Sequence, residues 1–256
     1  MVAWQLWKRT VHKSVVVKLF NGYKFRLYPD CHESSSVVYF RVPDFREVTF
    51  LRRQAQGGVL IDVGANVGRF TLLLADRIND AILFEPNDLA ANRARENLKI
   101  NNLPYEIQTT ALSDKQGEIF LEDRGGVDST NRTVTDPKHS PFPVRKVPST
   151  TLDLFLRERI DQLGDLNIIK IDVEGHESAV LKGAAWTLDH LRPKVVMFEY
   201  LQRTNLNEVR EWFHRFGYHI YSLGENGDLV EVSDVVQPLQ NLFAFSARVE
   251  PWVTVT

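Results

Sequence analysis

The stretch VLIDVGANVGRF, residues 59–70, joins an apolar run to a carboxylate and then to small residues at alternate positions. Asp62 follows Val-Leu-Ile, and Gly64, Asn66 and Gly68 come behind it. This order indicates a buried strand that ends in a tight turn, where small residues let a ligand approach the backbone. The identity of that ligand decides what the protein does.

The turn departs from the dinucleotide fingerprint G-x-G-x-x-G, because Asn66 replaces the second glycine and Arg69 stands where the third would be. The carboxylate of Asp62 beside the turn repels phosphate but attracts an ammonium or sulfonium group. Glu85 ends the next predicted strand, where nucleoside-binding sheets carry the acid that accepts hydrogen bonds from ribose hydroxyls. The pattern therefore favours S-adenosylmethionine over a nicotinamide dinucleotide.

Composition narrows the class of protein. The 256 residues and 43% hydrophobic content fit one large α/β domain or two small ones. The net charge of -2 gives no indication of a nucleic-acid partner. No apolar stretch approaches the roughly 18 residues of a membrane span, and residues 1–18 show no signal-peptide cleavage pattern. The single cysteine, Cys31, fits a reducing compartment, so we predict a cytoplasmic protein.

After the glycine turn, short apolar strands alternate with helices along the chain. Such strands predict a mostly parallel sheet that helices cover on both faces, with its ligand at the carboxyl edge. The predicted strands are residues 58–64, 81–86, 106–112, 117–123, 166–174, 194–200, 218–223 and 241–247. The predicted helices are residues 68–78, 88–101, 150–160, 178–188 and 205–217.

Carboxylates recur where these strands end. They are Asp62, Glu85, Asp172, Glu174 and Glu199. Because right-handed crossovers bring the carboxyl ends of parallel strands to one edge, we expect these acids to lie around one pocket. Glu199 is predicted to face the substrate there.

Four blocks of the sequence resemble the FkbM family of S-adenosylmethionine-dependent methyltransferases. They read IDVGANVGRFTLLLA, LFEPNDLAANRARENLKIN, ALSDKQGEIFL and TTLDLFL...NIIKIDVEGHESAVLKGA, and KIDVEGHE is the most specific part. The blocks occur in order between residues 45 and 200. The resemblance implies a Rossmann-like class I methyltransferase fold with a seven-stranded sheet. It also implies methyl transfer to oxygen, typically to a hydroxyl of a sugar or a polyketide-like natural product.

Two regions follow from this assignment. Residues 1–57 are predicted to form a hairpin and a helix packed on the core, and residues 58–256 the methyltransferase domain. The hairpin spans residues 15–28 with Asn21-Gly22 as a two-residue turn. The helix spans residues 43–57, begins at Pro43 and carries Phe45, Val48 and Leu51 on one side.

The turn and the next two strand ends supply the predicted cofactor site. Asp62 would lie by the ammonium group, directly or through water, and Glu85 would accept from both ribose hydroxyls. Ala111 and Leu112 would border the adenine by resemblance, while Ser113 and Asp114 fit an ordinary turn equally well. The full predicted cofactor set is Asp62, Gly64, Ala65, Asn66, Gly68, Glu85, Asn87, Ala111 and Leu112.

Lys170, Asp172, Glu174 and His176 occupy every second position of the block KIDVEGHE. In a strand these residues face one way, and past its end they fan around the pocket. An alcohol must lose its proton as it attacks the methyl group, so a base is needed, and we predict Asp172 or His176. Glu174 would orient the acceptor, and buried Lys170 would pair with a carboxylate. Capping of the next helix is the alternative role for His176.

Other functions remain open at this stage. Asp172, Glu174 and His176 could hold a divalent cation that acidifies the acceptor hydroxyl, although our prediction is that no metal is bound. A nucleotide-dependent oxidoreductase is a second alternative. A nucleic-acid or protein methyltransferase is disfavoured, because the fourth strand ends in DVEG and the charge is balanced. We predict a small-molecule or glycan acceptor, and a homo-oligomer is one alternative for the assembly.

Residues 125–148 contain four prolines and a polar tract, and they predict a long loop. Ser129, Thr130, Asn131 and Arg132 carry groups suited to a polyhydroxylated acceptor. We predict a lid that orders over the bound ligands, with Ser129, Asn131 and Arg132 at the substrate. A disordered surface excursion is the alternative.

Overall fold

The structure is a computed structural model that describes residues 2–42, 44–123, 132–134, 137–201, 205–224, 226–232 and 240–246. Its helices are Val2–Thr10 (α1), His32–Phe40 (α2), Phe45–Gln54 (α3), Arg69–Leu74 (α4), Asp88–Lys99 (α5), Leu152–Arg157 (α6), Glu177–Lys182 (α7) and Leu206–Arg215 (α8). Its strands are Val15–Lys18 (β1), Lys24–Leu27 (β2), Val59–Val63 (β3), Asp80–Phe84 (β4), Glu106–Gln108 (β5), Ala111–Leu112 (β6), Gly117–Glu122 (β7), Thr133–Val134 (β8), Val144–Thr150 (β9), Leu166–Ile171 (β10), Val195–Tyr200 (β11), His219–Leu223 (β12), Leu229–Glu231 (β13) and Gln240–Phe245 (β14).

The main sheet has eight strands in the order β13-β12-β14-β11-β10-β3-β4-β5. The five strands from β11 to β5 are parallel, while β14 runs antiparallel to both of its neighbours. The predicted α/β fold with a mostly parallel sheet is confirmed. The sheet has one strand more than the predicted seven, because the three residues of β13 pair with β12.

All five residues of β3 are buried, which explains the continuous apolar run in the sequence. Leu60 belongs to one hydrophobic cluster, and Ile61 and Val63 belong to another. The first cluster includes residues of α3, α4 and α5, and the second includes residues of α6, α7 and α8. Helices therefore cover both faces of the sheet, and its carboxyl edge is left for a ligand.

A second, small sheet has the strand order β6-β9-β7-β8, and its four strands follow β5 in the chain. The prediction of one strand over residues 106–112 is therefore wrong, since this segment divides between the two sheets as β5 and β6. The predicted loop over residues 125–148 is also wrong at its end, where β9 pairs antiparallel with β7. Four prolines indicated a loop, but buried Val147 and Ser149 show the alternation of a strand.

The N-terminal region contains two helices that the sequence analysis missed, α1 and α2. The hairpin is present, but its loop has three residues, 20–22, because the Leu19 N–H donates to Tyr23 O at 2.7 Å. Gly22 has a φ of 89° in this loop. The predicted helix over residues 43–57 is shorter, and Phe45 is 63% exposed rather than on its buried side. Pro43 lies outside the described residues.

Asn97 joins the hairpin to the glycine turn. Its Oδ1 accepts from the Arg26 N–H at 2.8 Å, and its Nδ2 donates to Val67 O at 2.9 Å. Asn101 bonds both backbone groups of Lys24 at 2.7 Å. These contacts fix β2 along α5, beside the turn that follows β3. Within the described part of the chain, no helix has the length and apolar character needed to cross a membrane.

Candidate active site

A cavity of about 260 Å³ lies at the carboxyl ends of β3, β4, β10 and β11. Four of the five strand-end carboxylates line it, as the crossover argument predicts: Glu85, Asp172, Glu174 and Glu199. Other walls come from the glycine turn, from α2 and from the small sheet. One cavity therefore brings together residues from both sheets and the N-terminal region.

The glycine turn is shaped by contact between two strands of the protein itself. Gly64 has a φ of +74°, and a Cβ added there would lie 1.9 Å from the backbone oxygen of Asp172. The sequence pattern predicts that this glycine lets a ligand approach, but the neighbouring backbone already requires it. Gly68 has a φ of +76° and precedes α4, where an added Cβ would meet Ala94 at 3.4 Å.

Asn66 adopts a φ of +50°, a conformation that asparagine tolerates better than most residues. Its backbone N–H donates to Glu85 Oε2 at 2.8 Å. The side-chain Oδ1 is buried and has no hydrogen-bond partner among the described residues. Because such an orphaned acceptor is costly, it indicates that a donor of a bound ligand belongs beside it.

Glu85 is held by two backbone donors at the end of β4. Its Oε2 accepts from Asn66, and its Oε1 accepts from the Asn87 N–H at 2.8 Å. Burial raises the pKa of Glu85, and these two hydrogen bonds and the charge of Lys170 oppose that increase. Each oxygen keeps further acceptor capacity toward the cavity. The contact of Glu85 with the ribose hydroxyls stays a prediction.

The side chain of Asn87 caps α5. Its Oδ1 accepts from the Leu89 N–H at 3.0 Å and from the Ala90 N–H at 3.3 Å. Asn87 also lines the cavity, and its predicted place in the cofactor site stays a prediction. Ala65, Ala111 and Leu112 are buried and line the same cavity.

Asp62 is 0% exposed and does not belong to the described cavity lining. Its Oδ1 lies 3.2 Å from Lys170 Nζ, and its Oδ2 accepts from the Thr71 hydroxyl at 2.7 Å. The predicted direct contact between Asp62 and a ligand ammonium does not fit this arrangement, because Lys170 already balances the buried charge. The predicted contact of Asp62 with the ammonium through water stays a prediction.

Lys170 pairs with carboxylates, as the cost of burying an unpaired ammonium predicts. Its Nζ lies 3.5 Å from Asp172 Oδ2 and donates to Gly64 O at 2.8 Å, in addition to the contact with Asp62. Burial alone would lower the pKa of Lys170, but the two carboxylates outweigh it and raise the pKa. The side chain is therefore a charged brace between β3 and β10.

His176 occupies the N-cap position of α7, but its side chain makes no capping hydrogen bond. Its Nε2 lies 2.9 Å from Ser113 Oγ, and its Nδ1 lies 3.2 Å from Thr133 Oγ1. Burial lowers the pKa of His176, with a smaller opposing effect from Asp114. The neutral imidazole therefore bridges α7 and the small sheet.

Glu177 closes the loop between β10 and α7, and the sequence analysis missed it. Its Oε1 accepts from the N–H groups of Val173 and Gly175 at 3.1 and 2.9 Å, and it is 2% exposed. Burial raises the pKa of Glu177, and the backbone hydrogen bonds oppose this. These contacts hold the backbone on both sides of Glu174, whose φ is +54°. An acidic residue in the first turn of a helix is the sequence feature that could have indicated this role for Glu177.

Glu199 lies near the end of β11, opposite Asn241 of β14 in the register of the sheet. Both residues line the cavity. Glu199 Oε2 is buried and has no hydrogen-bond partner among the described residues. Burial and the carboxylates of Asp172, Glu174 and Glu177 raise the pKa of Glu199 to about 8, although Lys170 opposes them.

Arg69, which stands at the third glycine position, ties the N-terminal region to the cavity. It is buried and forms ion pairs with Glu33 of α2 and with Asp44, the latter at 2.7 Å. Burial would lower the pKa of Arg69, but the two carboxylates raise it. His32 of α2 lines the cavity as well. This wall was not predicted from the sequence because α2 was not predicted.

The predicted lid residues Ser129, Thr130 and Asn131 lie outside the described residues. Arg132 does not line the described cavity, since its Nε donates to Glu122 Oε2 at 3.1 Å. Its predicted role at the substrate is therefore not supported by its position, and the neighbouring Thr133 lines the cavity instead.

No group of three His, Cys, Asp or Glu side chains that could hold a metal ion occurs in the residues that the structure describes. The alternative in which Asp172, Glu174 and His176 share a divalent cation thus finds no ligand set there. The ring nitrogens of His176 contact hydroxyls instead.

A family model, the Methyltransferase FkbM domain, matches residues 62–220, more than half of the chain. The chain belongs to the FkbM methyltransferase family. This membership confirms the predicted family and the predicted methyl donor, S-adenosylmethionine. It also removes the support for an oxidoreductase, since the matched region contains the glycine turn, Glu85 and the block KIDVEGHE.

A curated relative, hexuronic acid methyltransferase AglP of Haloferax volcanii, is 28% identical over 139 residues. The match covers 52% of each chain, so the chain spans about half the length of this relative. Among solved structures, the Pyrococcus abyssi tRNA (uracil-54, C5)-methyltransferase in complex with S-adenosyl-L-homocysteine has a TM-score of 0.46, 15% identity and coverage of 90% of this chain and 43% of its own. The Bacillus cereus O-methyltransferase complex has a TM-score of 0.43, 14% identity and coverage of 79% and 80%.

Proposed function

We propose that this protein transfers the methyl group of S-adenosylmethionine to a hydroxyl oxygen of a sugar or glycan, or of a similar small-molecule natural product. The observation that carries the cofactor half of the proposal is the Glu85 carboxylate, held by two backbone N–H groups at 2.8 Å inside the cavity. The curated relative is named as a hexuronic acid methyltransferase, which supports a sugar as the acceptor.

The cavity residues fit the cofactor. Glu85 would bind the ribose hydroxyls, and the orphaned Asn66 Oδ1 would accept from the ammonium group. Buried Leu112 and Leu121 offer an apolar wall for the adenine. When bound, the cofactor supplies a sulfonium that carries a transferable methyl and leaves as a neutral thioether. The protein then has to align the acceptor oxygen and remove its proton.

On the acceptor side we assign positioning roles. Lys170 braces the glycine turn against β10, and His176 fixes α7 to the small sheet. Asp172 and Glu174 line the cavity and would hydrogen-bond the acceptor hydroxyls. Asp172 and His176 were the predicted bases, but Asp172 faces Lys170 at 3.5 Å and both His176 nitrogens contact hydroxyls.

The test is a transfer assay with methyl-labelled S-adenosylmethionine and a panel of methyl glycosides of neutral hexoses and hexuronic acids. We expect a labelled ether product with at least one sugar, with no loss when a chelator is added. Binding of S-adenosylhomocysteine without transfer to any sugar would contradict the sugar acceptor. A requirement for added metal would restore the metal-assisted alternative.

Glu85→Ala tests the cofactor half separately by calorimetry with S-adenosylhomocysteine. A hydrogen bond to a charged group contributes about 1.5–3 kcal/mol, so we expect affinity to fall at least about 10-fold. Unchanged affinity would remove Glu85 from the ribose site. The predicted cytoplasmic location and oligomeric state remain predictions, which fractionation and light scattering test.

A further inference from the structure

Glu199 is a cavity carboxylate whose surroundings differ from those of Glu85 and Asp172. The oxygens of Glu85 accept from two backbone N–H groups, and Asp172 faces the Lys170 ammonium. Glu177 Oε1 likewise accepts from two backbone N–H groups. Glu199 Oε2, in contrast, is buried with no hydrogen-bond partner among the described residues.

The position of Glu199 also suits an acceptor. It sits on β11, next to β10, which carries Lys170, and opposite Asn241 of β14. All three residues line the cavity that contains Glu85 and the glycine turn. A hydroxyl between the strand ends and the cofactor could donate to Glu199 Oε2, while the amide of Asn241 bonds a second polar group of the acceptor.

We propose that Glu199 is the general base that accepts the proton of the acceptor hydroxyl, an inference that rests on the proposed function. The acceptor oxygen forms a bond to the methyl carbon as the carbon–sulfur bond breaks. The electron pair of that bond stays on sulfur and gives neutral S-adenosylhomocysteine. The hydroxyl proton passes to the Glu199 carboxylate, and the resulting carboxylic acid later returns it to water.

The charges around Glu199 favour this role. Asp172, Glu174 and Glu177 face it with negative charge, and Lys170 is the positive group that opposes them. Burial and these three carboxylates raise the pKa of Glu199 to about 8, so its carboxylate binds a proton far more tightly than an exposed glutamate does. A base is most effective when its pKa lies near the working pH. The positive charge of the methyl donor would lower this pKa toward neutrality.

The experiment compares Glu199→Gln and Glu199→Asp with Glu211→Gln, which removes an exposed carboxylate of α8. The acceptor is the sugar that gives product in the transfer assay. We expect Glu199→Gln to lower kcat by about 100-fold or more, the usual contribution of a general base. Affinity for S-adenosylhomocysteine should stay within twofold. Glu199→Asp should retain part of the activity, and Glu211→Gln all of it.

The pH profile separates a base from a residue that only shapes the cavity. Wild-type kcat should rise with pH through a limb at or below pH 8, and Glu199→Gln should lose that limb. A Glu199→Gln variant with kcat within threefold of wild type, or with the same limb, would overturn the proposal.

A second measurement needs no acceptor. The infrared carboxyl band of wild type should titrate near pH 8, and this titration should be absent in Glu199→Gln. No such titration in wild type also overturns the proposal, whereas failure of every sugar in the transfer assay counts against the proposed function alone.

Discussion

The proposed cofactor side and the proposed acceptor side of the cavity are built in different ways. The cofactor side comes from the continuous β3–turn–α4 segment, the end of β4 and the apolar residues Leu112 and Leu121 of the small sheet, and two backbone N–H groups hold its carboxylate, Glu85. The acceptor side gathers side chains from α2, the small sheet, β11 and β14. The first is thus specified mainly by short-range pattern, and the second by how distant segments pack.

Gly64→Ala, on the cofactor side, should cause the largest loss of stability. The added Cβ would meet the Asp172 carbonyl at 1.9 Å, so β3 and β10 would have to separate. We expect more than about 3 kcal/mol of destabilisation or loss of soluble protein, since clash adds to the cost of a positive φ. Denaturant unfolding measures this change in the free energy of unfolding.

Gly227→Ala is the matched control for this substitution, because its φ of +78° is similar but nothing lies within 4 Å of the added Cβ. It should cost only about 1–2 kcal/mol. Equal losses in the two variants would show that φ, and not contact with Asp172, requires the glycine at position 64.

Lys170→Met should have the next largest effect, because it leaves Asp62 as an uncompensated buried charge. Breaking a buried pair in this way costs about 3–5 kcal/mol. The double variant Asp62→Asn/Lys170→Met should recover part of that loss in a double-mutant cycle. If the double variant is as unstable as the sum of the single variants, the pair is not coupled as its 3.2 Å distance indicates.

The sequence was informative wherever neighbouring residues determine the structure. β3, the turn and Glu85 could be predicted because apolar continuity, small residues and a strand-end acid stand close together. The partner of Lys170 could be predicted only as a carboxylate, because the register that places Asp62 opposite it depends on sheet order. The wall formed by Arg69 and Glu33 was missed because it joins segments that are far apart in sequence.

Glu199 should also make the stability of the protein depend on pH. Its pKa rises from 4.5 in the unfolded chain to about 8 in the folded protein, so the folded state binds the proton more tightly. The contribution is complete below pH 4.5 and is lost as pH rises through 8. Melting temperatures of Glu199→Gln and wild type should therefore diverge with rising pH in favour of the variant, and parallel curves would contradict this.

Arg132→Ala should have the smallest effect, and it tests the sequence prediction that this residue binds the acceptor. The structure pairs its guanidinium with Glu122 at 3.1 Å, and Glu122 also accepts from the Ser140 hydroxyl at 2.9 Å. The guanidinium is partly exposed and Ser140 still donates to Glu122, but Glu122 itself is buried, so we expect a loss of about 1–3 kcal/mol in unfolding free energy. The KM for the acceptor should not change. A tenfold increase in KM at wild-type stability would instead place Arg132 at the acceptor, as the sequence analysis predicted, and would extend the acceptor side into the segment before β8.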